Sequence, residues 1–152
     1  SNQAAVQRSK DVHDVIGTDM CSFMTLIDEQ TANWSRDQAQ DLMTNWLSSG
    51  EPFDFVIANN DEMAIGAIQA METAGIDMAD VEVGGVDATQ DALVAMQAGQ
   101  LDVTVFQDDF GQGAGSVNTA LALAAGEDVD SKVYIPFQLV VPGNIENFLR
   151  KN

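Results

Sequence analysis

The feature that most constrains this chain is a regular alternation of short apolar runs with longer amphipathic stretches. Residues 53–58, 81–86, 101–106 and 133–141 are brief runs rich in β-branched and aromatic side chains, and residues 21–27 read the same way. Such runs suit buried strands. Between them lie stretches whose apolar residues recur every three or four positions. Residues 3–16 carry Ala5, Val12, Val15 and Ile16, and residues 90–98 and 113–125 follow the same helical period. Strands separated by helices of about ten or more residues pair in parallel and place helices on both sheet faces. The expected fold is therefore α/β: a three-layer α/β/α, doubly wound parallel sheet. It opens with a helix, runs through four strand–helix pairs, and ends on a strand and a short helix at 144–149.

Local signals sharpen two of these helices. Ser35 followed by Gln38 makes a capping box, and the helix it opens is expected to bury Ala39, Leu42, Met43 and Trp46 before stopping at Gly50. Asn60 is a second cap, with Asp61 and Glu62 placed at the positive end of the helix dipole and Gly75 as the stop.

Composition excludes several functions. At 152 residues the chain is expected to form one domain. Its 24 acids against 6 Lys and Arg give a net charge of −18, which repels phosphate backbones and anionic lipid. Nucleic acid is therefore excluded as a partner. A single cysteine, Cys21, and a single histidine, His13, rule out an internal disulfide, a Cys-based zinc site and a His-rich metal site. No apolar run approaches the roughly 18 residues of a membrane span, and no basic start leads into an apolar signal core.

Catalytic patterns are equally scarce. There is no Gly-x-Ser-x-Gly elbow, no His-Glu-x-x-His helix and no nucleophile beside a free histidine. His13 reads as solvated and Cys21 as a buried strand side chain. Gly111, Gly113 and Gly115 follow Asp108 and Asp109 with no Lys behind them, so they suit close helix packing better than a phosphate loop. The reading is of a protein that is not an enzyme and uses no cofactor or metal.

In open parallel sheets, ligands bind beyond the carboxyl ends of the strands. Asn59 and Asn60, Asp87 and Gln107 each follow a strand, and Trp34 stands in the connection before the Ser35 cap. Amides offer donors and an acceptor, a carboxylate accepts from two hydroxyls, and an indole offers a flat apolar face. Together they suit a neutral polyhydroxyl ligand. Taken singly, Asn60 and Asp87 read better as helix caps, and Trp34 reads equally well as a core or staple residue; the joint placement is what favours a ligand.

Several longer motifs carry a family resemblance. Phe55-Val-Ile-Ala-Asn-Asn-Asp-Glu-Met-Ala-Ile-Gly-Ala67 resembles a signature of periplasmic sugar-binding proteins of the ribose/galactose type. So do Val83-Gly-Gly-Val-Asp-Ala-Thr-Gln-Asp-Ala-Leu93 and Gly99-Gln-Leu-Asp-Val-Thr-Val-Phe-Gln107. Gln30-Thr-Ala-Asn-Trp-Ser-Arg-Asp-Gln-Ala39 and Ala4-Ala-Val-Gln-Arg-Ser-Lys10 are similar to two further segments of that family.

The resemblance implies capture of a monosaccharide or polyol between two lobes, in the periplasm, for delivery to the membrane permease of an ABC importer. It assigns Arg8 to ligand hydroxyls, Trp34 to ring stacking, Asn60 and Asp87 to hydroxyl bonding, and Gln107 to the hinge side of the site. It also implies that only the C-terminal half is present, as a fragment. Residues 1–107 correspond to part of the sugar-binding lobe, 108–132 to the hinge crossing and a helix of the other lobe, and 133–152 to a return strand and tail. The family's strand before Gln3, between the runs at 21–27 and 53–58, is missing here. Exposed sheet edges then invite a homodimer by strand exchange. The alternatives are the effector domain of a lactose-repressor-type transcription factor, or a fragment that has lost ligand binding.

Overall fold

The computed structural model describes residues 2–149. Helix α1 (Gln3–Ile16) starts where the Asn2 side chain accepts from the Ala4 and Ala5 N–H groups. Helix α2 (Arg36–Ser49) has both expected ends: Ser35 accepts from the Gln38 N–H at 3.4 Å, and Gly50 turns left-handed at φ +72°. Strand β1 (Phe55–Ile57) leads into α3 (Asp61–Thr73), capped by Asn60 accepting from the Met63 N–H at 3.0 Å. There follow β2 (Glu82–Gly84), α4 (Gln90–Gln97), β3 (Thr104–Phe106), α5 (Asp109–Ala124), β4 (Gln138–Val140) and a closing turn at Ile145–Asn147.

The strands lie in the order β1-β2-β3-β4. Val56 faces Val83 in a parallel β1–β2 pair. Parallel bridges at Gly84–Val103 and Asp87–Phe106 join β2 to β3. β4 runs antiparallel to β3, with Leu139 opposite Val105, which corrects the all-parallel expectation. A parallel return needs a crossover that packs on the sheet, and α5 has no buried residue. The chain leaves β3 into α5 and re-enters in the opposite sense.

The core gathers around α3, whose Ala64, Ile65, Ala67, Ile68, Ala70 and Met71 are all buried. Met43, Leu93, Met96, Val83 and Val140 close on it, and Phe106 meets Phe148 with ring centroids 5.4 Å apart. Each such large apolar side chain contributes about 1.5–3 kcal/mol. Gly66 allows α2 to approach, because a Cβ there would lie 2.2 Å from the Arg36 carbonyl oxygen.

Residues 21–27 do not form the expected strand. Cys21 ends a short helical turn begun at Asp19, and 24–30 run without a ladder partner. A strand exists only through a neighbour, and β1 pairs with β2 alone among the described residues. A groove of about 1170 Å³ separates 23–32 from 53–59. Phe23, Leu26 and Ile27 on one side and Phe55 and Ile57 on the other stay exposed along it. This is the position at which the resemblance places a further strand.

Four smaller expectations also change. Cys21 is half-buried rather than buried. Trp46 is only partly buried, and its Nε1 donates to Asp28 at 2.7 Å. The apolar stripe of α1 has no buried residue, and Ala5, Val12 and Ile16 face the groove instead. Of the three α5 glycines, Gly115 packs on Ile135 and Gly113 meets open space. The third, Gly111, sits on the Asp108 cap.

Candidate functional site

The turn after β2 is the centre of the site. Asp87 and Ala88 adopt positive φ values of 119° and 54°, a costly conformation for residues with a Cβ. Thr89, not Asp87, caps α4 by accepting from the Ala92 N–H at 3.3 Å. The Asp87 carboxylate is thus released from capping and points to side chains from two other elements. Gln107, just past β3, donates its Nε2 to Asp87 Oδ1. Arg8 of α1 places Nη1 4.0 Å from the same oxygen.

Arg8 is itself fixed. Its Nη1 donates to the Asn59 carbonyl at 2.6 Å, beyond the end of β1. The guanidinium carbon also sits 5.6 Å from the centre of the Trp34 ring, a cation–π distance. Trp34 follows Asn33 in a left-handed pair, φ 52° and 63°, immediately before the Ser35 cap. Backbone strain is thus found at both Trp34 and Asp87, on either side of Arg8.

Four of the five sequence-selected residues, Arg8, Trp34, Asp87 and Gln107, form one continuous row. Asn60 sits beside Asn59 but is buried, with its oxygen occupied in capping α3. Here the capping reading is realised. Burial pushes the Asp87 carboxyl above the usual carboxylate range, opposed by the Gln107 hydrogen bond and the Arg8 charge. Trp34 and Asn59 reach the end of the apolar groove, whereas Asp87 and Gln107 lie outside its lining. The row is an open polar edge. It offers a carboxylate acceptor, guanidinium and amide donors, and an aromatic face. Among the described residues, no group of three or more His, Cys, Asp or Glu could hold a metal ion.

Sequence reasoning missed three supporting residues. Ser9 accepts from the Asn59 side-chain amide at 3.1 Å, a second tie between α1 and β1. Asp61, read from sequence only as an acid at the positive end of the helix dipole, is fully buried and accepts from Thr104 at 2.7 Å and from the Thr89 N–H at 2.8 Å. The available signal was Gly85, where a Cβ would lie 2.4 Å from Asp61 Oδ1.

With this geometry in hand, the family follows from comparison. Residues 1–128 match the model of the periplasmic binding protein domain, and the chain belongs to that family. The "Putative rhizopine-binding protein" of Rhizobium meliloti is 61% identical over the whole chain, which covers 49% of that protein. An ABC transporter solute-binding protein from Bacillus halodurans, solved with myo-inositol, shares 45% identity at a TM-score of 0.91. The match covers 99% of this chain and 51% of that one. The Caulobacter myo-inositol-binding protein, also solved with myo-inositol, has 35% identity and a TM-score of 0.82, over 93% of this chain and 48% of its own. This chain therefore spans about half the length of these relatives.

Proposed function

We propose that this chain is the C-terminal, partial lobe of a periplasmic solute-binding protein that captures a sugar or cyclic polyol for an ABC importer. The observation that carries this reading is the row Trp34–Arg8–Asp87–Gln107 at the carboxyl edge of the sheet. Each hydroxyl of a polyol ring both donates and accepts, and a carboxylate flanked by a guanidinium and an amide lets the site accept from one vicinal hydroxyl while donating to its neighbour. Trp34 would cover the C–H face of the ring. Asn60 would add an amide at the back of the site.

A cyclic polyol of the myo-inositol type is favoured over a phosphorylated sugar. Two similar structures are described with bound myo-inositol, and the site offers one guanidinium already shared with Asp87 and Asn59. In this reading residues 1–107 hold the ligand side, 108–132 cross the hinge with α5, and 133–152 return. The ligand-delivery partner would be the importer's membrane permease, and a second copy would cover the exposed edge of β1. The relatives favour this over a repressor-type effector domain, since those named are solute-binding proteins.

A melting-temperature panel tests the reading. myo-Inositol, ribose, galactose and xylose would be compared with inositol phosphate. A rise with a neutral polyol and none with the phosphate is expected. A rise with the phosphate alone would overturn it.

A further inference from the structure

A buried acid lies beneath the turn that presents Asp87. The first residue of α3, Asp61, has no exposed surface. Its Oδ1 accepts from the Thr104 hydroxyl at 2.7 Å, and Thr104 Oγ1 in turn accepts from the Ala88 N–H at 3.1 Å. Its Oδ2 accepts from the Thr89 N–H at 2.8 Å, and its own N–H donates to the Val86 carbonyl at 2.8 Å. The left-handed pair Asp87–Ala88 is therefore tied to one residue on both sides: to the Asp61 main chain through Val86, and to its carboxylate through Thr89 and, by way of Thr104, Ala88. Gly85 leaves the space that this carboxylate occupies, since a Cβ there would fall 2.4 Å from Oδ1.

We propose that Asp61 is the positioning residue of the candidate site: through Thr104 and Thr89 it holds the Asp87–Ala88 turn and so aims Asp87 at Arg8 and Gln107. This rests on the polyol-site reading above, because Asp87 is the residue positioned. Only an ionised carboxylate accepts from both donors without rearrangement. A protonated acid, or an amide, brings a donor against either the Thr89 N–H or the Thr104 hydroxyl. Reversing the Thr104 hydroxyl would leave its proton buried without an acceptor, a costly state.

The charges around Asp61 agree with a linked pair. Burial pushes its carboxyl up to about 6, opposed by the Thr104 and Thr89 hydrogen bonds, and the Asp87 charge adds to the rise. Asp87 is held in turn by Gln107 and Arg8. Glu62, the next acid on α3, is engaged outward with Arg36. A ligand that neutralises Asp87 would favour the ionised form of Asp61.

The test is an NMR pH titration of the chain without ligand, followed by binding of myo-inositol, in wild type, Asp61→Asn, Thr104→Val and Thr104→Ser. In wild type, the Ala88 and Thr89 amide shifts are expected to follow the Asp61 carboxyl with one midpoint. Thr104→Val should uncouple Ala88 and weaken binding about tenfold, and Thr104→Ser should restore both. If Ala88 ignores the Asp61 titration, or Asp61→Asn and Thr104→Val bind as tightly as wild type, the proposal is wrong. If Ala88 follows Asp61 but no variant, wild type included, binds polyol, the positioning role stands and the ligand reading fails. Folding of each variant is read from the Leu93 and Val83 amides of the core.

Discussion

Arg8 and Asn59 are 51 residues apart in sequence, yet the guanidinium of one donates to the carbonyl of the other at 2.6 Å. α1 buries no residue of its own, so this bond and the Ser9–Asn59 contact are its specific ties to the end of β1. The same guanidinium faces Trp34 and Asp87. One side chain therefore docks a helix and completes the polar row.

Replacing Arg8 should separate these consequences from global unfolding. A hydrogen bond to a charged donor contributes about 1.5–3 kcal/mol, so Arg8→Ala should raise hydrogen exchange throughout α1 at least tenfold. Amides of α3 should keep their protection. Arg8→Lys keeps the charge without the planar fork and should recover only part of the effect. Unchanged exchange in α1 would show that other contacts hold the helix.

Stability should depend on pH through Asp61. Its folded pKa of about 6 lies above the ordinary aspartate value, so the folded state holds more protons between the two. The stabilisation is fully present below the unfolded pKa of 3.8 and is lost as pH rises through about 6. The size is about 3 kcal/mol, at roughly 1.4 kcal/mol per unit. The raised carboxyl of Asp87 acts in the same direction. Urea midpoints measured between about pH 4 and 7 should fall as pH rises, and Asp61→Asn should flatten that slope. A slope identical in the variant would remove Asp61 as its source.

Two glycines should respond oppositely to alanine. At Gly66 a Cβ would meet the Arg36 carbonyl oxygen at 2.2 Å and the Ala39 Cβ at 3.1 Å. Gly66→Ala should therefore cost about 1–3 kcal/mol through overpacking. At Gly113, within α5, an added Cβ would meet nothing within 4 Å outside its own helix, and Gly113→Ala should stabilise by about 0.5–1 kcal/mol. Chemical denaturation of the pair checks both signs; α5 requires a probe of its own, such as exchange at its amides.

The exposed edge of β1 predicts self-association. Phe55 and Ile57 border the groove, and β1 has only β2 as a ladder neighbour among the described residues. A second copy pairing there should appear as a concentration-dependent dimer in light scattering. Ile57→Lys, which puts a charge on the edge, should abolish it. A monodisperse monomer at every concentration would contradict the strand-exchange proposal.

Much of this architecture was legible locally. Ser35, Gly50, Asn60 and Gly75 mark helix ends by capping and left-handed turns, which depend on few neighbours. Residues 21–27 carry a strand-like pattern but form no strand, because strand formation needs a partner that local pattern does not supply. The antiparallel direction of β4 is not legible in its own residues, because it depends on where α5 lies. At the site, strand-end position singled out Trp34, Asn60, Asp87 and Gln107, and family resemblance added Arg8. Asp61 and Thr104 escaped because a buried acid in the first turn of a helix looks the same in sequence as a solvated one. The non-local contact with Gly85 and Thr104 is what distinguishes it.

The most direct test of the central claim is an NMR titration of this chain with myo-inositol, observing the Trp34 and Trp46 indoles, the Arg8 guanidinium and the Gln107 amide. Half a cleft encloses little of its ligand, so weak binding at high millimolar concentration is expected. Trp34, Arg8 and Gln107 should shift along one common isotherm while the Trp46 indole, held by Asp28, stays in place. Shifts confined to Trp46 and the apolar groove, or none at all, would contradict the assignment of the Trp34–Arg8–Asp87–Gln107 edge as the polyol site.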